Sequence, residues 1–342
     1  MTRGRRASHL TILTILTGIT LAVTAFAAHG EESRVTVATV QFRVTEEVFT
    51  SIDAYRGAVE GVVASAVERH GADIVVLPEY LNVFLIASRF PEALEQASTI
   101  DEALHLAAGR PATGRQRESG ELPAVLRSVA EETSRDAIAL WQDLAATHEV
   151  TIVAGTFFVP SEAPHERGLR NRLIVFGPSG EIHYQQDKVY LTEEERRSMG
   201  IRPGALDDAE TVELAGITVG FTICRDSFFD SWHEPLDGVE LWIDLRANGE
   251  PFSRDVEERF RRALPPRVRA AEAAAGVNAT LTGSFLDLVW EGRSYVVDES
   301  GTRIAESRRV VGTEITTVHL VPDEDSWRLE DRTPESSRQE SR

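Results

Sequence analysis

Cysteine is almost absent from this chain: Cys224 is the only one among 342 residues. A single cysteine cannot form an intramolecular disulfide, which excludes a small scaffold held together by disulfides. The nine histidines are scattered without the spacing of metal ligands, and the sequence contains no glycine-rich phosphate loop. We therefore expect neither a metal ion nor a cofactor in this protein.

Positive charge is scarce as well. Lysine and arginine together number 36 against 55 acidic residues, which gives a net charge of −19. The first 27 residues carry three of these arginines and no acid, so the rest of the chain is even more negative. This balance argues against nucleic acid or an anionic membrane surface as a partner.

The N-terminus has the pattern of a secretory signal peptide. A basic start is followed by an apolar stretch over 10–25, and Ala25-Phe26-Ala27 is a small-x-small cleavage site. We predict a signal peptide over residues 1–27, cleaved after Ala27, and an exported mature protein in the periplasm or outside the cell. The alternative is an uncleaved membrane anchor, because the 19 residues from 10 to 28 are just long enough to span a bilayer.

The following sequence alternates strand and helix patterns. A strand, a helix ended by Gly71 and a second strand form a predicted βαβ unit within residues 34–77. Single continuous helices are predicted over 84–106, 122–148 and 256–275. This alternation predicts an α/β fold.

No linker divides the chain after the signal peptide, so we predict one domain over residues 34–320. Its last strand is predicted at 314–320. Residues 322–342 are polar, charged and without periodicity, and they are predicted to form a mostly disordered tail.

Three reactive side chains each follow a short apolar strand: Glu79, Lys188 and Cys224. Singly, each has a plain structural explanation, as a helix cap, a solvated cation and a core thiol. In α/β folds, however, functional sites lie at the carboxyl ends of strands. Three such side chains at three strand ends therefore predict a shared site.

The segments that contain these residues resemble the three signature blocks of the nitrilase superfamily, the carbon–nitrogen hydrolases. The blocks are Leu77-Pro78-Glu79-Tyr80, Asp187-Lys188-Val189-Tyr190-Leu191 and Ile223-Cys224-Arg225-Asp226. The resemblance covers roughly residues 34–320. It implies a single-domain α-β-β-α sandwich that pairs with a second subunit, so a homodimer or higher homo-oligomer is expected.

The resemblance also implies a reaction and a role for each residue. Cys224 would attack the carbon of an amide or nitrile in a small molecule and form a thioester. Glu79 would act as general base, and Lys188 would stabilise the oxyanion together with the backbone N–H of Arg225. Two alternatives remain open: an N-acyltransferase of the same fold, and a binding module without catalysis.

Two assignments are less complete. Members of this superfamily often carry a second glutamate after the lysine, and the run Glu193-Glu194-Glu195 offers three candidates, of which the pattern favours Glu195. Glu195 could equally form a capping box with Thr192, and both roles are compatible. Arg225 could bind a carboxylate of the substrate, or it could only pair with Asp226.

Overall fold

The computed structural model describes residues 34–109, 121–161 and 168–330 of the chain. The predicted signal peptide over 1–27, its cleavage site and the alternative membrane anchor lie outside these residues. Within the described ranges, no helix is both long and apolar enough to cross a bilayer.

Fourteen strands form the sheet within the described residues. Their bounds are β1 Val35–Val44, β2 Ile74–Val76, β3 Thr151–Pro160, β4 Leu169–Phe176, β5 Ile182–Asp187, β6 Val212–Leu214, β7 Ile217–Ile223, β8 Leu241–Arg246, β9 Ala275–Phe285, β10 Leu288–Trp290, β11 Tyr295–Asp298, β12 Arg303–Glu306, β13 Glu314–Asp323 and β14 Ser326–Leu329.

The helices in the same part of the chain are mostly short. They are α1 Ile52–His70, α2 Pro91–Gln96, α3 Ile100–Ala107, α4 Glu121–His148, α5 Glu193–Arg197, α6 Arg254–Phe260 and α7 Leu264–Ala271. Short 3₁₀ turns cover Glu46–Phe49, Val83–Arg89, Leu206–Asp208, Cys224–Phe228 and Asp230–His233.

The strands follow the order β5-β4-β3-β2-β1-β9-β8-β7-β6, and β1 joins the two halves of this arrangement. Residues 37–39 of β1 pair in parallel with β2, and residues 42–44 pair in parallel with β9. On the edge of β1 opposite β2, β13 pairs antiparallel with residues 35–41. One strand thus belongs to both halves of the sheet and connects them.

The two halves pack face to face around an apolar core. Alternate residues of β1 to β4 and of β6 to β9 point into this core, as the two-residue period of a strand requires. Helices α1 and α4 cover the outer face of the first half, where Trp141 is fully buried. Helix α7 packs with Trp242 on the outer face of the second half. The predicted single-domain α-β-β-α sandwich is confirmed.

Two predicted helices are broken, and in each of them a helix begins at or next to a proline. The helix expected over 84–106 is a 3₁₀ turn followed by α2, which begins at Pro91, and by α3. The helix expected over 256–275 is divided into α6 and α7, because Pro265 and Pro266 lack the N–H that an interior position of a helix donates. Glu272, with φ of 55°, then ends α7.

The predicted end of the fold is also wrong. The chain does not become disordered at residue 322: β13 continues to Asp323, and β14 folds back against it. Trp327 secures this hairpin, since its ring packs at the core and its Nε1 donates to the Gly216 carbonyl at 2.9 Å. Residues 331–342 of the predicted tail lie outside the described part of the chain.

Candidate active site

Lys188 lies directly after β5 and is almost completely buried, with 1 % of its surface exposed. Its Nζ donates to Glu79 Oε1 at 2.8 Å and to Glu195 Oε1 at 2.9 Å. Its backbone N–H donates to the Asn171 carbonyl at 2.9 Å, which fixes the start of its side chain against β4. The ammonium group is therefore held between two carboxylates.

Glu79 follows β2 and is as deeply buried as the lysine. Besides Lys188, its Oε1 accepts a hydrogen bond from Asn171 Nδ2 at 3.0 Å, and its Oε2 accepts one from the Ala247 N–H at 3.2 Å. A β-bulge in β3 at Gly155, with φ of 78°, lets this strand approach the residue before Glu79 closely. A Cβ on Gly155 would lie 2.3 Å from the Pro78 carbonyl oxygen, so glycine is required there.

Glu195 is fully buried in the first turn of α5. Its Oε1 accepts from Lys188, from Asn171 Nδ2 at 3.1 Å and from the Tyr80 hydroxyl at 2.7 Å. Its Oε2 accepts from the Thr192 N–H at 2.8 Å, while Thr192 Oγ1 accepts from the Glu195 N–H. The structure thus places Glu195 at the lysine and in a capping box at once, whereas Glu193 and Glu194 are exposed.

Cys224 stands at the turn between β7 and a 3₁₀ segment, in a left-handed backbone conformation with φ of 52°. Such a conformation is unfavourable for a residue with a side chain and is often found at functional sites. Ser227 Oγ donates to the Cys224 carbonyl at 2.8 Å, which stabilises the turn. Cys224 is partly exposed, whereas Lys188, Glu79 and Glu195 are buried.

Asp226 joins the cysteine turn to the segment after Lys188. Its Oδ1 accepts from the Tyr190 N–H at 2.7 Å, and its Oδ2 accepts from the Ile223 N–H at 3.3 Å. Burial raises the pKa of this carboxyl to about 7. The predicted shared site is therefore supported by a direct connection between two of its three strand ends.

The two carboxyl groups beside Lys188 differ in proton affinity. Burial raises the pKa of Glu79 above its ordinary value, against the lowering effect of Lys188 and with a further rise from Glu195. For Glu195, burial acts in the same direction, but Lys188 and the hydrogen bonds from Thr192 and Tyr80 hold its pKa below the ordinary value. Glu79 is thus the group that accepts a proton more readily, and Glu195 stays ionised.

The lysine and the thiol also respond to this environment. Burial alone would lower the pKa of Lys188, but Glu79 and Glu195 hold it well above the ordinary value, so the ammonium stays charged. Burial and the Glu79 carboxylate raise the pKa of the Cys224 thiol, while Lys188 and Arg246 act against that rise. The resting thiol is therefore protonated, and it needs a base before it can act as a nucleophile.

Arg225 lies on the exposed side of the same turn. Its guanidinium carbon is 5.7 Å from the centroid of the Phe229 ring, and that ring stacks on Tyr190 at 3.8 Å. Both oxygens of Asp226 bind backbone N–H groups, as described above. Both predicted contacts for Arg225, the pairing with Asp226 and the contact with a substrate carboxylate, stay predictions.

Four site features were missed in the sequence. Asn171 binds both carboxylates and keeps a buried Oδ1 without a partner. It lies between two arginines in β4, so the sequence did not set it apart. Tyr80 lies in the first signature block, but no role was predicted for it, and the Ala247 N–H and Arg246 carried no local signal. Lys188, which was predicted, also had a signal of its own, because it is the only lysine in the sequence.

Metal binding was tested against the same geometry. Among the described residues, no group of three or more histidine, cysteine, aspartate or glutamate side chains is arranged to hold a metal ion. The two carboxylates that do lie together, Glu79 and Glu195, are bridged by the ammonium of Lys188.

A family comparison decides what kind of protein carries this arrangement. The family model described as carbon-nitrogen hydrolase matches residues 36–327. The chain belongs to the carbon-nitrogen hydrolase family. It is an enzyme of the amidase/nitrilase type, and the resemblance drawn from the three sequence blocks is confirmed.

Solved structures similar to this carbon-nitrogen hydrolase include an amidase and another carbon-nitrogen hydrolase. One is a double mutant of the amidase from Nesterenkonia sp. AN1 in complex with acrylamide, with 18 % identity, a TM-score of 0.61 and coverage of 90 % of this chain and 97 % of that one. Another, a mutant of the same amidase with the acetamide moiety of fluoroacetamide added covalently at the active-site cysteine, has 18 % identity, the same coverage and a TM-score of 0.62.

A third structure extends the comparison to another organism. The carbon-nitrogen hydrolase from Helicobacter pylori shares 16 % identity and has a TM-score of 0.60, with coverage of 84 % of this chain and 89 % of that one. At these identities the likeness shows the fold alone. None of the curated proteins compared with this hydrolase matches it.

Proposed function

We propose that this enzyme hydrolyses the amide bond of a small molecule through a thioester on Cys224. The observation that carries the proposal is the Lys188 ammonium, which is buried between Glu79 and Glu195 at the strand ends beside the cysteine turn. The fold it shares with amidases supports an amide as the substrate. Export after cleavage at Ala27 and pairing with a second subunit stay predictions from the sequence.

The first half-reaction forms the thioester. The Cys224 sulfur bonds to the amide carbon while the thiol proton moves to Glu79, whose raised pKa suits a proton acceptor. Negative charge develops on the carbonyl oxygen. Two of the three N–H donors of Lys188 bind carboxylates, so the third is available to this oxyanion, together with the backbone N–H of Arg225. The C–N bond then breaks, and the proton on Glu79 passes to the leaving nitrogen.

The second half-reaction regenerates the enzyme. A water molecule gives a proton to Glu79 and attacks the thioester carbon, and the resulting oxyanion uses the same two donors. The C–S bond breaks, the proton returns to sulfur, and a carboxylic acid is released. Glu195 does not transfer protons in this scheme, because its pKa is held low, and it keeps Lys188 charged and in place.

The test is a search for both ammonia and the acyl-enzyme. Purified protein is incubated with primary amides from acetamide to pentanamide, and ammonia is measured with a coupled assay. Hydroxylamine is added to one sample to intercept the thioester as a hydroxamate. In a parallel sample without hydroxylamine, mass spectrometry detects the acyl adduct on the intact protein and assigns it to a residue in the peptides of an acid digest. We expect ammonia, hydroxamate and an acyl adduct on Cys224.

The matched control is Cys224→Ala, in which the fold is retained, because the small change at a partly exposed position leaves the Lys188 network intact. This variant should release ammonia only at the background rate. Ammonia release that persists in Cys224→Ala would show that the reaction does not use the thioester and would overturn the proposal.

A further inference from the structure

A cleft with three arginines lies at the carboxyl end of β8, beside the middle of β9. Its empty volume is about 370 Å³, which includes its open mouth, and its wall contains Arg246, Arg293, Arg303, Phe260 and Tyr295. We call it the Arg246 cleft. Neither the sequence motifs nor the proposed reaction uses these residues.

The Arg246 cleft adjoins the proposed reaction centre. In the parallel pair β7–β8, Ile223 lies opposite Leu245, so Cys224 and Arg246 occupy the next position on each strand. The residue after Arg246, Ala247, donates its N–H to Glu79 Oε2. Arg246 thus lies one strand away from the thiol and one residue away from a backbone contact to the general base.

The polar atoms of the cleft are not all satisfied. The Nε atoms of Arg246, Arg293 and Arg303 and the hydroxyl of Tyr295 are buried without a hydrogen-bond partner. Arg246 and Tyr295 are 3 % and 1 % exposed, so bulk water does not form hydrogen bonds with their unpaired atoms. Unpaired buried donors are costly and indicate a missing partner. Here three of the four unpaired atoms are cationic N–H groups.

The acids in and beside the cleft wall bind other groups and leave these four atoms unpaired. Asp244 binds Arg246 Nη2 at 2.5 Å, Thr222 Oγ1 and Asn278 Nδ2. Glu257 Oε1 binds Arg303 Nη1 at 3.0 Å. Glu291 Oε2 accepts from the Phe252 N–H at 2.7 Å. A guanidinium has five N–H donors, and even Arg303, which pairs with both Glu257 and Glu306, keeps its Nε without a partner.

Aromatic rings hold the arginines in fixed positions. The Arg246 guanidinium carbon is 4.0 Å from the centroid of the Phe260 ring, and that of Arg303 is 4.1 Å from the centroid of the Tyr295 ring. Stacking restrains the planar guanidinium and reduces the entropy lost when it binds an anion. A planar carboxylate matches the fork of such a group.

We propose that the Arg246 cleft binds a carboxylate of the substrate, so that the enzyme acts on amides that carry a second, ionised carboxyl group. The proposal rests on the proposed function and names its substrate class. The sequence suggested Arg225 for this contact, but that side chain is exposed, whereas Arg246 is buried in the cleft wall beside the thiol.

The first experiment measures binding without turnover. Calorimetry on full-length Cys224→Ala protein compares ω-amidated acids, namely succinamate, glutaramate and adipamate, with the neutral amides butanamide, pentanamide and hexanamide. We expect at least one acid to bind at least about tenfold more tightly than its neutral counterpart, since a site built from buried donors rejects an analogue that lacks the acceptor.

Variants then assign this preference to the cleft. Arg246→Lys keeps the charge but loses the fork. Arg293→Gln removes a positive charge and Tyr295→Phe removes a hydroxyl, each at a different point of the wall. Each should reduce the ratio of the two affinities several-fold, with circular dichroism to verify folding. The matched control is Arg261→Gln, an exposed arginine just after α6, which should leave the ratio unchanged.

The outcomes separate the two proposals. Equal affinity for acids and neutral amides, or a preference that is lost in Arg225→Gln and kept in all three cleft variants, overturns the carboxylate site. Hydrolysis of neutral amides alone by the wild-type enzyme would overturn it too and leave the proposed reaction standing. Conversely, cleft-dependent binding of acids without ammonia or hydroxamate would refute the proposed reaction and leave the carboxylate site standing.

Discussion

Two buried charged regions lie side by side in this protein, and they differ in how completely their polar atoms are bonded. Around Lys188, all four oxygens of Glu79 and Glu195 accept hydrogen bonds from side chains or backbone. In the Arg246 cleft, three guanidinium Nε atoms and a tyrosine hydroxyl have none. In the first region both carboxylates are fully bonded, and Asn171 Oδ1 is the buried atom without a partner. We call it the closed network, and the second region is an incomplete one.

This difference separates two tasks. A closed network keeps its charges in one geometry, which suits groups that must meet a transition state without reorganisation. An incomplete network gains its missing partner only when a ligand enters, which suits recognition. Changes in the Lys188 network should therefore affect turnover and stability, and changes in the cleft should affect which substrate binds.

The largest effect is expected from replacing the one lysine. Lys188→Met removes an oxyanion donor, which costs about 10²–10³ in rate, and leaves two buried carboxylates without a cation, which costs about 3–5 kcal/mol of stability. Lys188→Arg should also be inactive, because a planar guanidinium does not reproduce a compact ammonium between two carboxylates. Ammonia release and urea denaturation measure the two effects.

The stability loss in Lys188→Met should depend on pH in a defined direction. Without the ammonium, the folded-state pKa values of Glu79 and Glu195 rise above their unfolded values. Stability is then greatest at low pH and is lost as pH rises through the raised values. The comparison of the two regions fails if Lys188→Met turns over amides at the wild-type rate or abolishes carboxylate binding in the folded protein.

A smaller effect, on the pH profile, is expected from the second glutamate. Glu195→Gln removes an anion that raises the pKa of Glu79, so that pKa falls and the base stays ionised at lower pH. The acid limb of the kcat/KM profile should move to lower pH, and kcat should fall about tenfold to a hundredfold because Lys188 is less well positioned.

The control for this variant is Glu193→Gln, which makes the same charge change on the exposed side of α5, where Glu193 pairs with Arg197. Its profile should match the wild type. If the acid limb of Glu195→Gln also stays in place, Glu195 serves only as a helix cap.

The sequence predicted those parts of the site that depend on local pattern. Glu79, Lys188 and Cys224 each follow an apolar run, and the ends of such runs can be located without knowing the fold. Thr192 and Glu195 were also predicted, because the sequence pattern of a capping box spans only four consecutive residues.

The missed parts depend on how distant segments meet. Asn171, the Ala247 N–H and Arg246 reach the site only through the pairing order of the strands and the crossing of β1 between the two halves of the sheet. Strand β14 was missed for the same reason. It is held in place by the hydrogen bond from Trp327 to Gly216, and these two residues are more than a hundred positions apart in the sequence. The helix breaks at Pro91 and Pro265 could have been predicted, since both prolines are in the sequence. The prediction instead followed the helical spacing of the apolar residues on either side of them.

The smallest expected effect concerns the backbone that supports the closed network. Gly155→Ala would place a Cβ 2.3 Å from the Pro78 carbonyl oxygen and impose a positive φ on alanine. The strand must shift, so we expect a loss of about 1–3 kcal/mol in the free energy of unfolding and a lower kcat, because Glu79 is displaced.

Gly57→Ala is the matched control for this change. Gly57 lies in α1 with nothing within 4 Å of the added Cβ, so it should gain about 0.5–1 kcal/mol from the better helix propensity of alanine. Urea denaturation of both variants measures the contrast. Carboxylate binding should be unchanged in each, because neither residue contributes to the Arg246 cleft. If Gly155→Ala weakened that binding as much as it weakened kcat, the closed network and the cleft would have to be treated as one unit.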